Sequence, residues 1–312
     1  MLIVLIPTVR PWEAAAYLGF GGFNACPAPW LHVAYAREWS ARPAHVLKRP
    51  REWESGRKGE RMEITFLGTG SPMSPERCAT GLLVTAPECE PLLIDTCGGF
   101  ELPRQLARIG QPIGGLRNVI VTHKHMDHMG GMPALFIATI PLTIYASADT
   151  HAGIREFMHA CFPEWPIHPE VRHITIAAGE RHEIGGFTVT FFAVEHRVPT
   201  VAVRVDQGSK VLAFSADGLP TEGMIACARD ADLFVCDALC AIRDGAAWAE
   251  RARSLMHPVA REAAEMAVAA GAKALALTHL ARIATADNLR AEAQEIFPGP
   301  VTVPDDCMTL RV

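Results

Sequence analysis

Within "VIVTHKHMDHMGGM", residues 119–132, three histidines and an aspartate fall in six positions, directly after a run of β-branched residues. His123 and His125 alternate, so a short extended segment can aim both at one point. Asp127 and His128 follow where the chain turns toward a helix. Imidazole nitrogens and a carboxylate are ligands for zinc, iron or manganese. Four such groups on one tetrahedral ion would leave no open position for catalysis. Two adjacent ions are the economical reading, one taking His123 and His125 and the other Asp127 and His128. Each then needs further ligands, and three strand ends offer them: His196 closes "FFAVEH", Asp217 closes "VLAFSAD" and His279 closes "ALALTH". Strand ends are where α/β sheets place their chemistry. A single strand-terminal histidine is usually structural, but three ligand-type residues at three strand ends, beside such a cluster, point to a metal site. His32, His45, His151, His159, His168, His173 and His182 sit in the arm, on helices or in polar loops and read as solvated.

The elements that must position these groups follow from hydrophobic period and turn residues. From Met62, "MEITFLGTGSP", "LLVTA" and "PLLIDTCGG" read as strands and "ELPRQLARIG" as a helix. "NVIVT" is the strand that feeds the cluster, followed by helix "GMPALFIAT", strand "PLTIYAS" and helix "THAGIREFMHACF". Four strands then follow without helices: "HITIAAGE", "FTVTFFAVEH", "TVAVRVD" and "KVLAFSADG". Alternation returns with helix "TEGMIACARD", strand "LFVCDA", helix "HPVAREAAEMAVAAGA", strand "KALALTH", helix "ADNLRAEAQEIF" and strand "MTLRV". Two similar halves, each a sheet with helices on its outer face, predict a layered α/β sandwich.

The chain has 312 residues, 49% hydrophobic and 20% charged, with a net charge of −5. That is a globular composition, with no global basic field for nucleic acid. Nine cysteines, never spaced as CxxC, read as small hydrophobes in a reducing, cytoplasmic compartment. No apolar run is long enough for a membrane span. Residues 1–61 differ from the rest, with Pro-interrupted basic stretches and neither period, and read as an arm or linker. "KGERM" back-translates to a purine-rich string just upstream of an ATG, which predicts that Met62 is the natural start and that 1–61 is an over-extended reading frame. The competing expectation is a basic arm that brings RNA to the site.

From Met62 to Val312 the chain resembles the metallo-β-lactamase superfamily. "THKHMDH", "EH" at 195–196, "SAD" at 215–217 and "TH" at 278–279 match it in order and approximate spacing. The resemblance implies a four-layer αβ/βα sandwich with two divalent ions, zinc or else manganese or iron. By the family's pattern one ion takes His123, His125 and His196, the other takes Asp127, His128 and His279, and Asp217 bridges them. Asp95 in "LLIDTCGG" would support a metal-bound histidine. "ITFLGTGSP" and the short hairpin before "SADG" are similar to the ribonuclease Z and phosphodiesterase branch. There Asp237 in "LFVCDAL" matches an acidic residue, Cys236 replaces a histidine, and His257 in "MHPVAREAA" matches a histidine before a helix. Pro258, at the first helical turn, makes His257 equally suited to an ordinary helix start.

Two departures matter. The long tRNA-clamping insertion is absent between His196 and Asp217. The loop "GTGSPMSPERCATG" keeps Arg77 but lacks the branch's lysine and asparagine. The resemblance therefore implies a hydroxide-dependent phosphodiesterase acting on a small phosphodiester. Asp127 would orient the nucleophile, His257, oriented by Asp237, would protonate the leaving oxygen, and Arg77 would pair with a phosphate oxygen. The alternatives are a ribonuclease Z-like tRNA 3′-processing endonuclease and a carboxyl-, thio- or sulfate-ester hydrolase of the same fold. No membrane partner is expected, and the sequence leaves open whether the chain forms a homodimer.

Overall fold

Alternation along the strands decides the layering. In the computed structural model, which describes residues 61–165 and 167–312, the first sheet holds β1 (Glu63–Gly68), β2 (Gly81–Thr85), β3 (Leu92–Ile94), β4 (Asn118–Val121), β5 (Thr143–Ala146) and β6 (Arg172–Thr175). The second holds β7 (Arg181–Ile184), β8 (Phe187–Val194), β9 (Thr200–Gln207), β10 (Lys210–Phe214), β11 (Leu233–Asp237), β12 (Leu275–Thr278) and β13 (Val301–Thr302). A last strand, β14 (Thr309–Arg311), returns to the first sheet beside β1. The strand orders are β14-β1-β2-β3-β4-β5-β6 and β13-β12-β11-β10-β9-β8-β7. The expectations for residues 1–60 lie outside the described residues.

Val119 and Val121 of β4 face an outer core while Ile120 between them faces the centre. In β11, Leu233 and Val235 face the centre and Phe234 and Cys236 face outward. Such strands are apolar on both sides because both of their faces are covered. Against the first sheet pack α1 (Glu101–Arg108), α2 (Met126–Met129), α3 (Met132–Ile137) and α4 (Ala148–Cys161) through Leu102, Leu106, Leu135 and Ile154. Against the second pack α5 (Glu222–Cys227) and, further on, the alanine-rich helix of residues 260–270 and the helix of residues 286–294. Between the sheets lie Phe66, Phe187, Phe191 and Phe214. The result is the layered α/β sandwich that the pattern of elements predicts, in the four-layer αβ/βα form that the family resemblance implies.

Several local expectations are corrected. "AAWAERARS" forms α6 (Ala246–Ser254), which gave no strong sequence signal, and β7 and β13 were likewise unexpected. The following helix, α7 (Ala260–Ala270), begins after Pro258, since Val259 occupies the cap and its N–H donates to Glu262 Oε2 at 3.0 Å. His257 therefore belongs to the turn that leaves α6 rather than to the first turn of α7. The last helix is α8 (Ala286–Gln294). His151 is not solvated: it lies on the inner side of α4, buried, with Nε2 3.0 Å from the Ile174 carbonyl and Nδ1 3.2 Å from His173 Nδ1. Among the described residues no helix is long and apolar enough to cross a membrane.

Candidate metal centre

The parallel strands bring their C-terminal ends to one place, and the candidate residues are the residues that follow those ends. Asp95 follows β3, Thr122 and His123 follow β4, and His196 lies two residues past β8. Asp217 lies three past β10, Asp237 ends β11 and His279 follows β12. His125 precedes α2, whose first turn carries Asp127 and His128. Three of these segments turn through left-handed backbone at non-glycine residues: Asp95 (φ 58°), Ala216 (φ 53°) and His279 (φ 62°). Each such position stores about 1–3 kcal/mol of strain and persists only where packed surroundings impose it. Strain gathered around one set of polar side chains is typical of a site whose geometry is held by the fold.

His125 Nδ1 stands 3.1 Å from His123 Nε2 and 3.2 Å from His196 Nε2. Beside this trio, Asp217 Oδ2 lies 3.0 Å from His128 Nε2 and 3.3 Å from His279 Nε2. Asp127 Oδ2 lies 3.5 Å from His128 Nε2 and 3.8 Å from His279 Nε2. The two groups meet at Asp217, whose Oδ2 is also 3.8 Å from His123 Nε2. Ligand atoms on a tetrahedron with bonds of about 2.0–2.1 Å stand roughly 3.3–3.4 Å apart. The observed spacings bracket that value, and an imidazole edge facing two other imidazole edges is an arrangement that hydrogen bonds satisfy poorly. The donor set therefore fits divalent metal ions.

Electrostatics agree. Burial pushes His123 well below its ordinary value and holds His196 and His279 at about 4, so these rings are neutral, the state in which imidazole can bind a metal. Burial also works against charge on Asp127 and Asp217, but the neighbouring His128 and His279 outweigh it, leaving Asp127 at about 2 and Asp217 well below the carboxylate range. Burial opposes charge on His128 as well, yet Asp217, Asp95 and Asp127 around it raise it well above its ordinary value. Buried carboxylates around one ring nitrogen demand a positive charge there, either a proton or a cation.

Asp95 is wholly buried and takes the far side of that ring, with His128 Nδ1 donating to its Oδ2 at 2.7 Å. Its other oxygen accepts from Thr122 N at 2.8 Å and Thr122 Oγ1 at 3.0 Å. Such partners orient a ligating imidazole and fix its tautomer. Two more orienting groups were not expected from the sequence. Thr122 Oγ1 lies 3.0 Å from His123 Nδ1, and Thr80 Oγ1 lies 2.9 Å from His279 Nδ1. Adjacency to His123 was a signal for Thr122; Thr80, 199 positions from its partner, left none.

His257 and Asp237 are brought to the edge of the centre. His257 Nδ1 donates to Asp237 Oδ2 at 2.7 Å, leaving Nε2 directed elsewhere. The His257 ring is stacked on His279, centroids 4.9 Å apart and planes nearly parallel at 14°, and lies 5.3 Å from His196. Burial opposes its charge, but Asp237 overrides this and lifts His257 to about 9. Arg77 corrects the expectation of a phosphate partner. Its Nη1 donates to Thr69 Oγ1 at 2.7 Å and to the Pro304 carbonyl at 2.8 Å, and its Nη2 to Asp305 Oδ1 at 3.0 Å. The guanidinium is committed to clasping the β1–β2 loop onto the segment before β14, a long-range contact that no local pattern announces.

Known proteins share this architecture. A family model described as "Beta-lactamase superfamily domain" matches residues 91–280. A protein named Ribonuclease Z from Halorubrum lacusprofundi is 29% identical over 305 residues, covering 78% of this chain and 95% of that protein. A probable metallo-hydrolase, YhfI from Bacillus subtilis, is 29% identical over 252 residues, covering 78% of this chain and 96% of its own length. The crystal structure of YhfI, described as a metallo-beta-lactamase fold protein, superposes with a TM-score of 0.69, covering 82% of this chain and 100% of that one at 26% identity.

Proposed function

The chain belongs to the beta-lactamase superfamily and is a metal-dependent hydrolase, and from that premise we propose that it cleaves small phosphodiesters at a two-ion centre. The observation that carries this reading is the convergence of seven donor side chains with a His257–Asp237 pair on their edge. His123, His125 and His196 would hold one ion, Asp127, His128 and His279 the other, and Asp217 both. Zinc suits this imidazole and carboxylate set, and manganese and iron also accept it. Two bound ions would supply a hydroxide nucleophile at neutral pH and neutralise the phosphoryl oxygens.

The chain's own groups do the rest. Asp127 keeps its charge at neutral pH and accepts a hydrogen bond from the attacking oxygen, orienting it toward phosphorus. His257, held protonated by Asp237, gives its Nε2 proton to the departing oxygen. Asp95, Thr122 and Thr80 hold three of the imidazoles in one orientation.

A ribonuclease Z-like activity is the second reading, favoured by the relative of that name. Against it stands the stretch between His196 and Asp217. It is a plain hairpin of β9 and β10 joined at Gly208 and Ser209, with no added lobe for a large RNA. With an overall charge of −5, a small substrate is the better match. We further propose a cytoplasmic location.

The test compares turnover of a bis-nitrophenyl phosphodiester, the matched carboxyl ester, the matched sulfate ester and a precursor tRNA by protein loaded with zinc or manganese. Preferred cleavage of the phosphodiester is expected. Faster turnover of the carboxyl or sulfate ester would refute the reading, and efficient tRNA 3′ processing would install the second one.

A further inference from the structure

His257 sits where α6 ends, and the way that helix ends is unusual. The last carbonyls of a helix lack partners within it and need others. Here the Met256 N–H donates to the Arg253 carbonyl at 2.9 Å and the His257 N–H reaches back to the Ala252 carbonyl at 2.9 Å. This is the double closure normally built on a left-handed glycine. The left-handed residue is instead Met256, at φ 66°. A methionine there costs about 1–2 kcal/mol relative to right-handed backbone, so the turn that presents His257 needs support from outside.

Three of the four terminal carbonyls are answered locally. Arg251 accepts from the Leu255 N–H at 2.9 Å and from Ser254 Oγ at 2.7 Å, and Ala252 and Arg253 accept from the closure above. The fourth, Ser254, accepts from Arg197 Nη2 at 2.5 Å. Arg197 is the residue immediately after His196, on the opposite side of the centre in sequence, 57 positions away. A cation at a helix C-terminus also opposes the helix dipole. The guanidinium thus joins the segment carrying one member of the imidazole trio to the turn carrying the proton donor, whose rings stand 5.3 Å apart.

We propose that Arg197 is a positioning residue: by capping α6 from the His196 segment it sets the distance between the proton donor and the metal-binding trio. This rests on the reading of His257 as donor. In this role it acts through His257 rather than on the substrate. A displacement of about 1 Å in a proton donor can cost up to roughly 10²-fold in rate. The effect should appear only where the leaving oxygen needs a proton.

The experiment uses the full chain, wild type and as Arg197→Met, Arg197→Lys, His257→Ala and the double variant Arg197→Met/His257→Ala. Two phosphodiesters are compared, one with a nitrophenyl and one with an alkyl leaving group, together with metal content and amide hydrogen exchange at Met256 and His257. Arg197→Met should slow alkyl-diester turnover by about 10-fold to 10²-fold through kcat, and the nitrophenyl diester by less than about threefold. It should keep wild-type metal content and exchange Met256 and His257 amides faster. Arg197→Lys should restore part of the loss, and adding Arg197→Met to His257→Ala should cost nothing more on the alkyl diester. Equal losses on both esters, unchanged amide exchange, or an undiminished loss in the His257→Ala background would overturn the proposal. If His257→Ala itself slows both diesters equally, the donor reading falls and this inference with it. If His257→Ala discriminates between the diesters and Arg197→Met does not, only the positioning role is lost.

Discussion

At the scale of single residues, the opposed effects of burial and charge do the chemical sorting. Asp237 is what lifts His257 to about 9 against burial. A group raised in this way stays protonated through neutral pH and loses its proton as pH rises through about 9. Alkyl-diester turnover should therefore have an alkaline limb near there. In Asp237→Asn, burial is opposed only by the charge of Asp217 and the limb should move to lower pH, which a kcat/KM profile against pH would show. A limb that stays in place would mean that some other group sets it. His257→Ala should retain its metal but lose roughly 10²–10⁴-fold on the alkyl diester, with a much smaller loss on the nitrophenyl diester. His125 is the hub of its trio, with neighbours at 3.1 and 3.2 Å. His125→Ala should lose at least one ion per chain and nearly all activity; full metal occupancy by elemental analysis would count against the proposed ligand set.

At the scale of elements, close approach of backbone matters as much as side-chain identity. The junction between α2 and α3 passes directly against the loop that follows β3. A Cβ built on Gly131 would stand 2.0 Å from the Thr96 carbonyl oxygen, and the Gly131 N–H donates to Thr96 Oγ1 at 3.0 Å. The same loop carries Asp95, and the same junction follows His128. Gly131→Ala should push the two apart, weaken the Asp95–His128 bond and destabilise the fold by roughly 1–3 kcal/mol. Thermal unfolding together with metal titration would test this, and a variant with unchanged melting and metal affinity would contradict it. The small residues of "HMGGM" are thus explained by contact rather than by turn formation.

At the scale of the whole molecule, the described chain closes on itself at Met62. Its side chain is fully buried in the central core, its N–H donates to the Val312 carbonyl at 3.2 Å, and the Val312 N–H donates back at 3.0 Å. β1 is already paired on both sides, by β14 and β2. We therefore expect a chain of residues 62–312 to fold with an unchanged melting temperature and to turn over small phosphodiesters at the full rate. A marked loss of stability in that shortened chain, or a loss confined to RNA cleavage, would revive the idea of a basic arm serving a nuclease.

What the sequence showed by itself was the candidate ligand set and the order of most of the elements. Both are written locally, in a dense HxHxDH string, in strand-terminal His and Asp residues and in apolar periods that follow from burial on one face or two. Tertiary structure alone decided which distant groups meet. It committed Arg77 to Pro304 and Asp305 rather than to a phosphate, joined Thr80 to His279, buried His151 against the edge strand β6, and hung His257 on the end of α6 rather than the start of α7. These pairings depend on how two sheets stack and which strand ends coincide, and no local period encodes that. A helix such as α6, short and rich in alanine and arginine, likewise owes its place to the cluster of Leu239, Cys240, Val259 and Ala281 on which it packs rather than to a pattern of its own.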